Sequence, residues 1–486
     1  MEIRRKLNLK RRRLALPAVA LVVVFSASLY FASFHLESEK SQQDEYVPTF
    51  IQSVAARASP SRDILIVYVD FAFVDMALNF HGMSLKRHHI TNFLFVSSDH
   101  ACCHRLREAS LPCHVHKSDR AAGLASQHGS RDFVRKMNYR TDVILMALEY
   151  GYTVLHTDTD VVFLRNPFDY LRPLTCDIAI MMEKPALFNA GFVYVRPTRD
   201  GIDIYRRMRT VAEKSQLVDD QTQLNAVLKS LEPTILVIAL PMSLFASGRL
   251  YFEKSARVFA ADPRVNTDHY VIHNNWIVAK EAKVYRFKEH LMWTLDDGEY
   301  YSSKTRRYLA YDNPPLTSGS LPSVSAQLGA LRSALAIGRT LSRTVILPAF
   351  HYHGTRTSAL NSLLRVSSFD AVFRDEYREH VFLRHPKVPQ SVKKSRSKTV
   401  LIVSEAADAV LPLGNKKRPI LFRPSNRTAG ANSLEIATWF RGVNEAVLCF
   451  QSLYGAFGSF ADKNEQAEFE KRISAAFRPA GYRQYM

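Results

Sequence analysis

Residues 151–168 read GYTVLHTDTDVVFLRNPF. An apolar run over 152–155 delivers two carboxylates, Asp158 and Asp160, at a spacing of two, before residues 161–164 turn apolar again and Asn166-Pro167 supplies a turn. The pattern predicts a strand that leaves a core and ends in Asp-x-Asp at a solvent-facing tip. Paired carboxylates at such a tip offer hard oxygen ligands. Mg²⁺ and Mn²⁺ favour these and keep positions open for substrate phosphates. The stretch therefore points to an enzyme that handles a nucleotide diphosphate through a metal. An isolated Asp-x-Asp is equally a capped and solvated turn, so the surroundings decide between the two.

Those surroundings alternate between strands and helices. Residues 63–71 (DILIVYVDF) are continuously apolar and read as a buried strand; 74–85 read as a helix, 92–96 as a strand, 103–109 as a helix and 113–116 as a short strand. Residues 131–150 form a helix whose apolar face includes Val134, Met137, Val143, Ile144 and Ala147, with Gly151 at the position of a C-terminal cap. Further strands are expected over 177–182, 191–195, 235–239 and 270–273, and helices over 202–214 and 220–229. Strands alternating with helices imply parallel pairing and a doubly wound α/β sheet, with ligands beyond the carboxyl ends of the strands. Asp70 and Asp158 both lie at such ends.

The chain has 486 residues, enough for two or three domains. Arg4, Arg5, Lys6, Lys10, Arg11, Arg12 and Arg13 precede residues 14–34, which hold no charge. A run of that length crosses a hydrocarbon layer of about 30 Å as a helix. Acidic residues follow, so the positive-inside rule puts residues 1–13 in the cytosol and the body in a lumen, as a single-pass type II protein. A cleaved signal peptide is the alternative, with Ala32-Ser33 as its site; the apolar run is long for one. Residues 35–61 are polar and read as a stem. The remaining layout is a catalytic region over 62–311, a turn-rich linker over 312–325 with Pro314, Pro315, Gly319 and Pro322, and a smaller α/β C-terminal unit over 326–486. In that unit a helix is expected over 327–341, strands over 344–347 and 399–403, and helices over 433–440 and 465–476.

The formal net charge of +19 would ordinarily suggest nucleic acid. A membrane anchor with a lumenal body excludes that partner and favours anionic sugar nucleotides or acidic glycans, much of the basic surface being simply solvated. Of the cysteines, Cys102 or Cys103 with Cys113 is a local disulfide pair suited to an oxidising lumen. Asn426-Arg427-Thr428 is an N-glycosylation sequon.

Four further segments join the paired aspartates: Phe188-Asn189-Ala190-Gly191 before a strand, Asp219-Asp220-Gln221 opening a helix, His273-Asn274-Asn275-Trp276 ending a strand with Lys280 a turn later, and Arg140 on the helix before Asp158. The set HTDTDVVFLRNPF, FNAGFVYVRPT, DDQTQLN and HNNWIVAKEAKVYRFKEHLMW resembles the nucleotide-diphospho-sugar transferase family, glycosyltransferase family 77, over residues 64–293. The resemblance implies a GT-A-like mixed sheet and a retaining transferase of the xylose, galactose or arabinose class. It would use a UDP-sugar donor, a glycan or glycoprotein acceptor and Mn²⁺ (or Mg²⁺), at the Golgi membrane. It assigns Asp158, Asp160 and His273 to the metal, Lys280 to the leaving diphosphate and Arg140 to the nucleotide, with Asp70 at the uracil base. Asn189, Asp220 and Gln221 fall to the donor sugar and the reacting face. Thr159 stands where the family often has Val. Residues 327–350 (QLGALRSALAIGRTLSRTVILPAF) are similar to a helix-strand block that accompanies the catalytic domain in plant arabinosyltransferase relatives. Two other classes compete: an Asp-x-Asp phosphoryl-transfer hydrolase, whose motif comes early in its domain, and a non-catalytic binding protein of the same fold.

Overall fold

A computed structural model describes residues 49–116, 130–214, 217–254, 268–313, 323–351, 360–404 and 419–479. The expected tail, the anchor over 14–34 and most of the stem lie outside the described residues. Among the described residues no helix is long and apolar enough to cross a membrane. Part of the expected stem is regular, since a short helix occupies Phe50–Ala55.

Ten strands build the region around the paired aspartates: β1 (Asp63–Tyr68), β2 (Phe93–Ser97), β3 (Cys113–Val115), β4 (Thr153–Thr157), β5 (Val161–Phe163), β6 (Ile178–Lys184), β7 (Leu187–Val195), β8 (Val237–Leu240), β9 (Phe245–Ser247) and β10 (Val271–His273). Seven form one sheet in the order β3-β2-β1-β4-β7-β6-β8, and β5-β10-β9 form a second. β1, β2, β3 and β4 run parallel. β1 and β4 are buried along their whole length, which is why, Asp63 and His156 apart, their sequences are apolar or β-branched rather than alternating.

The parallel pairing that alternation implies holds as far as β4; beyond it the sheet is mixed, as the family resemblance implies. β7 runs antiparallel to both β4 and β6. Only Pro185 and Ala186 separate β6 from β7, and Ala186 takes a φ of +64°. Two residues close a hairpin, whereas a parallel connection needs a crossover of a dozen or more. The hairpin also lengthens β7, which starts at Leu187 rather than Gly191.

A third sheet is wholly parallel: β13-β12-β11-β16-β14-β15, with β11 (Tyr308–Tyr311), β12 (Thr344–Ile346), β13 (Tyr377–Arg378), β14 (Val400–Ile402), β15 (Ile420–Phe422) and β16 (Val447–Phe450). Its interior strand β11 precedes the turn-rich stretch over 312–325. Val162, Ala246 and Ile272 of the second sheet share one apolar cluster with Tyr308, Ile346, Phe382 and Val447, so the second and third sheets are welded by a common core. Helix Val324–Thr340 packs on the third sheet, capped by the Ser323 hydroxyl, which accepts from the Ala326 N–H. Cys103 and Cys113 form the disulfide; Cys102 is a buried thiol between helix His100–Glu108 and β1.

Candidate active site

Asp158-Thr159-Asp160 is the turn by which the chain leaves the first sheet and enters the second. β4 ends at Thr157 and β5 begins at Val161. Two strand pairings then decide what surrounds the turn. The antiparallel register sets Thr157 opposite Phe192, and the Asp158 N–H donates to the Gly191 carbonyl at 2.9 Å. On the other side Val161 pairs with His273, and the Asn274 N–H donates to the Asp160 carbonyl at 2.8 Å. The middle of β7, at Gly191, and the end of β10 are thereby brought to the same tip.

The outcome is a triad. One ligand atom from each of Asp158, Asp160 and His273 lies within 4.8 Å of the others. His273 Nε2 is 3.3 Å from Asp160 Oδ1 and 3.6 Å from Asp158 Oδ2. Asp160 and His273 are buried, while the Asp158 side chain is 34 % exposed, so the triad opens on one side. Gly191 lies directly beneath. A Cβ there would stand 2.4 Å from Asp158 Oδ2 and 2.5 Å from His273 Cε1.

The charges are strongly coupled. Burial opposes ionisation of Asp158, but Arg140, His156 and His273 outweigh it and hold the carboxyl below the ordinary range. Burial likewise opposes ionisation of Asp160, and Lys283 and His273 overcome it. Burial depresses His273, yet the two aspartates lift it above the usual histidine value. Arg140, almost fully buried on helix Arg131–Glu149, donates from Nη1 to Asp158 Oδ1 at 2.5 Å and from Nη2 to Asp220. His156 Nδ1 bonds the Ile66 carbonyl, and its Nε2 faces Asp158 at 3.8 Å. An oxygen-oxygen-imidazole set of this kind suits Mn²⁺ and Mg²⁺, with Mn²⁺ the more tolerant of nitrogen.

The other expected residues fall in distinct places. Asn189 and Gln221 adjoin the triad: Asn189 Oδ1 accepts from the Gly191 N–H at 2.9 Å, and Asn189 Nδ2 donates to Gln221 Oε1 at 3.0 Å. Asp219 caps helix Asp220–Leu231 by accepting from the Thr222 N–H, which leaves Asp220 for Arg140. Asp70 pairs with buried Lys136 at 2.8 Å; burial pushes its carboxyl up and Lys136 offsets this only in part. Lys280 is engaged away from the triad, at 2.9 Å from Asp75 and donating to the Ala72 carbonyl at 2.6 Å. It is Lys283 that reaches the triad, 2.6 Å from Asp160 Oδ2.

Lys283, Lys136, His156 and Glu183 were not among the residues singled out from the sequence. Lys280 and Lys283 sit three apart on helix Lys280–Glu289, and spacing alone does not say which one faces the aspartates. The turn before that helix decides it. Trp276 and Ala279 adopt φ of +58° and +78°, a left-handed conformation rare for residues with a Cβ.

Residues 88–287 match the family model for nucleotide-diphospho-sugar transferases. Over these residues the chain is similar to that family, and with its relatives the match makes it a glycosyltransferase that uses a nucleotide sugar. Among its relatives is arabinosyltransferase XEG113 of Arabidopsis thaliana, 24 % identical over 482 residues, covering 84 % of this chain and 72 % of the relative. Another is UDP-D-xylose:L-fucose alpha-1,3-D-xylosyltransferase 3 of the same plant, 28 % identical over 264 residues, covering 48 % of this chain and 67 % of the relative. Of solved structures, the galactosyltransferase LgtC with donor and acceptor sugar analogs aligns over 45 % of this chain and 88 % of its own, at 16 % identity and a TM-score of 0.28.

Proposed function

We propose that this chain is a metal-dependent retaining transferase of GT-A type. It moves a sugar of the xylose, galactose or arabinose class from a UDP-sugar to a glycan or glycoprotein acceptor, at the Golgi membrane with its catalytic region in the lumen. The observation that carries this reading is the convergence of Asp158, Asp160 and His273 at one open strand tip. A divalent cation held by these three would neutralise the leaving diphosphate. The remaining work belongs to the protein. Arg140 keeps Asp158 ionised and aimed by sharing its guanidinium with Asp220. Lys283 brings a positive charge to the side of the triad where phosphate oxygens gather negative charge as the glycosidic bond breaks. Lys136 orients Asp70 beyond the end of β1, where the nucleoside is expected. Asn189 and Gln221 present hydrogen-bonding groups suited to sugar hydroxyls.

The test is UDP release from a panel of UDP-sugars by the purified chain, with Mn²⁺ and with a chelator. We expect turnover of at least one pentose or galactose donor that is lost on chelation and regained with Mn²⁺. Turnover that survives chelation undiminished, or release of phosphate from simple phosphomonoesters instead, overturns the assignment. The two lysines offer a second check. Lys283→Ala should lower kcat/KM by about 10- to 100-fold, under the roughly 100- to 1,000-fold of an enclosed donor because Lys283 is partly exposed, and Lys280→Ala by less than about threefold. The opposite ranking would place the diphosphate on the other side of the helix.

A further inference from the structure

Glu183 lies near the end of β6, one hairpin turn from the triad. Its Oε2 accepts from two carboxamides at once: Asn189 Nδ2, on β7, and Asn275 Nδ2, at 2.9 Å, just past β10. The two asparagines come from different sheets. Each has its oxygen pinned by a backbone N–H: Asn189 Oδ1 by Gly191 at 2.9 Å, and Asn275 Oδ1 by Gly248 at 2.7 Å. With the oxygens so fixed, both NH₂ groups must point at Glu183, and a carboxylate, which only accepts, holds them there. The Asn189 carboxamide also borders the triad. The point 2.4 Å from Asp158 Oδ2 where a Gly191 Cβ would stand is 3.0 Å from Asn189 Oδ1. The second N–H of Asn189 goes to Gln221 Oε1, so one lone pair of Asn189 Oδ1 and one N–H of Asn275 remain, an acceptor and a donor. That combination suits a hydroxyl.

We propose that Glu183 is a positioning residue for the donor sugar, locking the Asn189 and Asn275 carboxamides in the orientation that receives sugar hydroxyls beside the diphosphate. The inference rests on the nucleotide-sugar reading above and deepens it. Glu183 itself forms no bond to substrate. Its effect is confined to the sugar, so UDP alone binds as well without it.

The experiment compares Glu183→Ala, Glu183→Gln and the Asn189→Ala/Asn275→Ala double variant with and without Glu183→Ala, on the full chain with Mn²⁺. Calorimetry measures UDP against the UDP-sugar that the panel selects. Glu183→Ala should leave UDP affinity within about twofold, abolish the extra affinity for the UDP-sugar and lower kcat by about 10- to 100-fold, as loss of positioning does. Glu183→Gln should retain kcat within about fivefold, because its amide oxygen can accept both N–H groups where Oε2 did. Adding Glu183→Ala to the double variant should cost no more than about threefold, since residues acting through one another are not additive. Equal damage from Gln and Ala, or effects that multiply when Glu183→Ala is added to the double variant, would overturn the inference by showing that charge or an independent role matters. A wild-type chain that binds no UDP overturns the transferase reading, and this inference with it.

Discussion

Replacing Asp158 with Asn is expected to reduce transfer by at least about 100-fold, the scale seen when charge stabilisation is removed from a reacting centre. The substitution keeps the size of the side chain and removes the anion at which Arg140, His156 and His273 converge. Arg140 keeps Asp220 as a partner, so the buried guanidinium is not stranded and the fold should survive. The loss should therefore appear in Mn²⁺ titration and in UDP release while thermal unfolding moves little. A variant that binds Mn²⁺ as tightly as wild type and keeps more than about a tenth of its turnover would remove Asp158 from the metal site.

Gly191→Ala should be comparably severe, though it alters no charged or polar side chain. The added methyl would sit 2.4 Å from Asp158 Oδ2 and 2.5 Å from His273 Cε1, well inside contact distance for both. Neither neighbour can yield freely: Asp158 is tied to Arg140 at 2.5 Å, and His273 ends a buried strand paired on both sides. The triad would have to open, and displacement of reacting groups by about 1 Å costs about 100-fold in rate. Mn²⁺ affinity should fall in parallel. Gly298→Ala provides the control, because nothing lies within 4 Å of a Cβ at Gly298, although its φ of +60° brings a small strain of its own. If Gly191→Ala matches wild type in metal affinity and rate, the packing beneath the triad has been misjudged.

Much of the first sheet is legible in the sequence. β1, β2, β4 and helix Arg131–Glu149 stand within a few residues of where apolar runs and helical spacing put them, because a buried strand and an amphipathic helix each leave a local signature. β10 ends at His273, where the strand expected over 270–273 was to end. The short strands were harder. β5, β9, β13 and β16 span four residues or fewer and draw their stability from neighbours distant in sequence. The antiparallel entry of β7 was invisible to a rule in which alternating strands and helices pair in parallel.

The amino-acid sequence by itself determined the class of elements, their order and the chemical identity of the groups at the strand tip, since burial patterns and side-chain chemistry are local properties. Only the tertiary structure decided that Lys283 rather than Lys280 stands at Asp160, that Arg140 bridges Asp158 and Asp220, and that Glu183 joins carboxamides from two sheets. Each of these depends on strand register and on the direction in which a helix leaves its turn. Those are set by packing between residues 6 to 123 apart in the chain, on different elements, and no single stretch of residues encodes them.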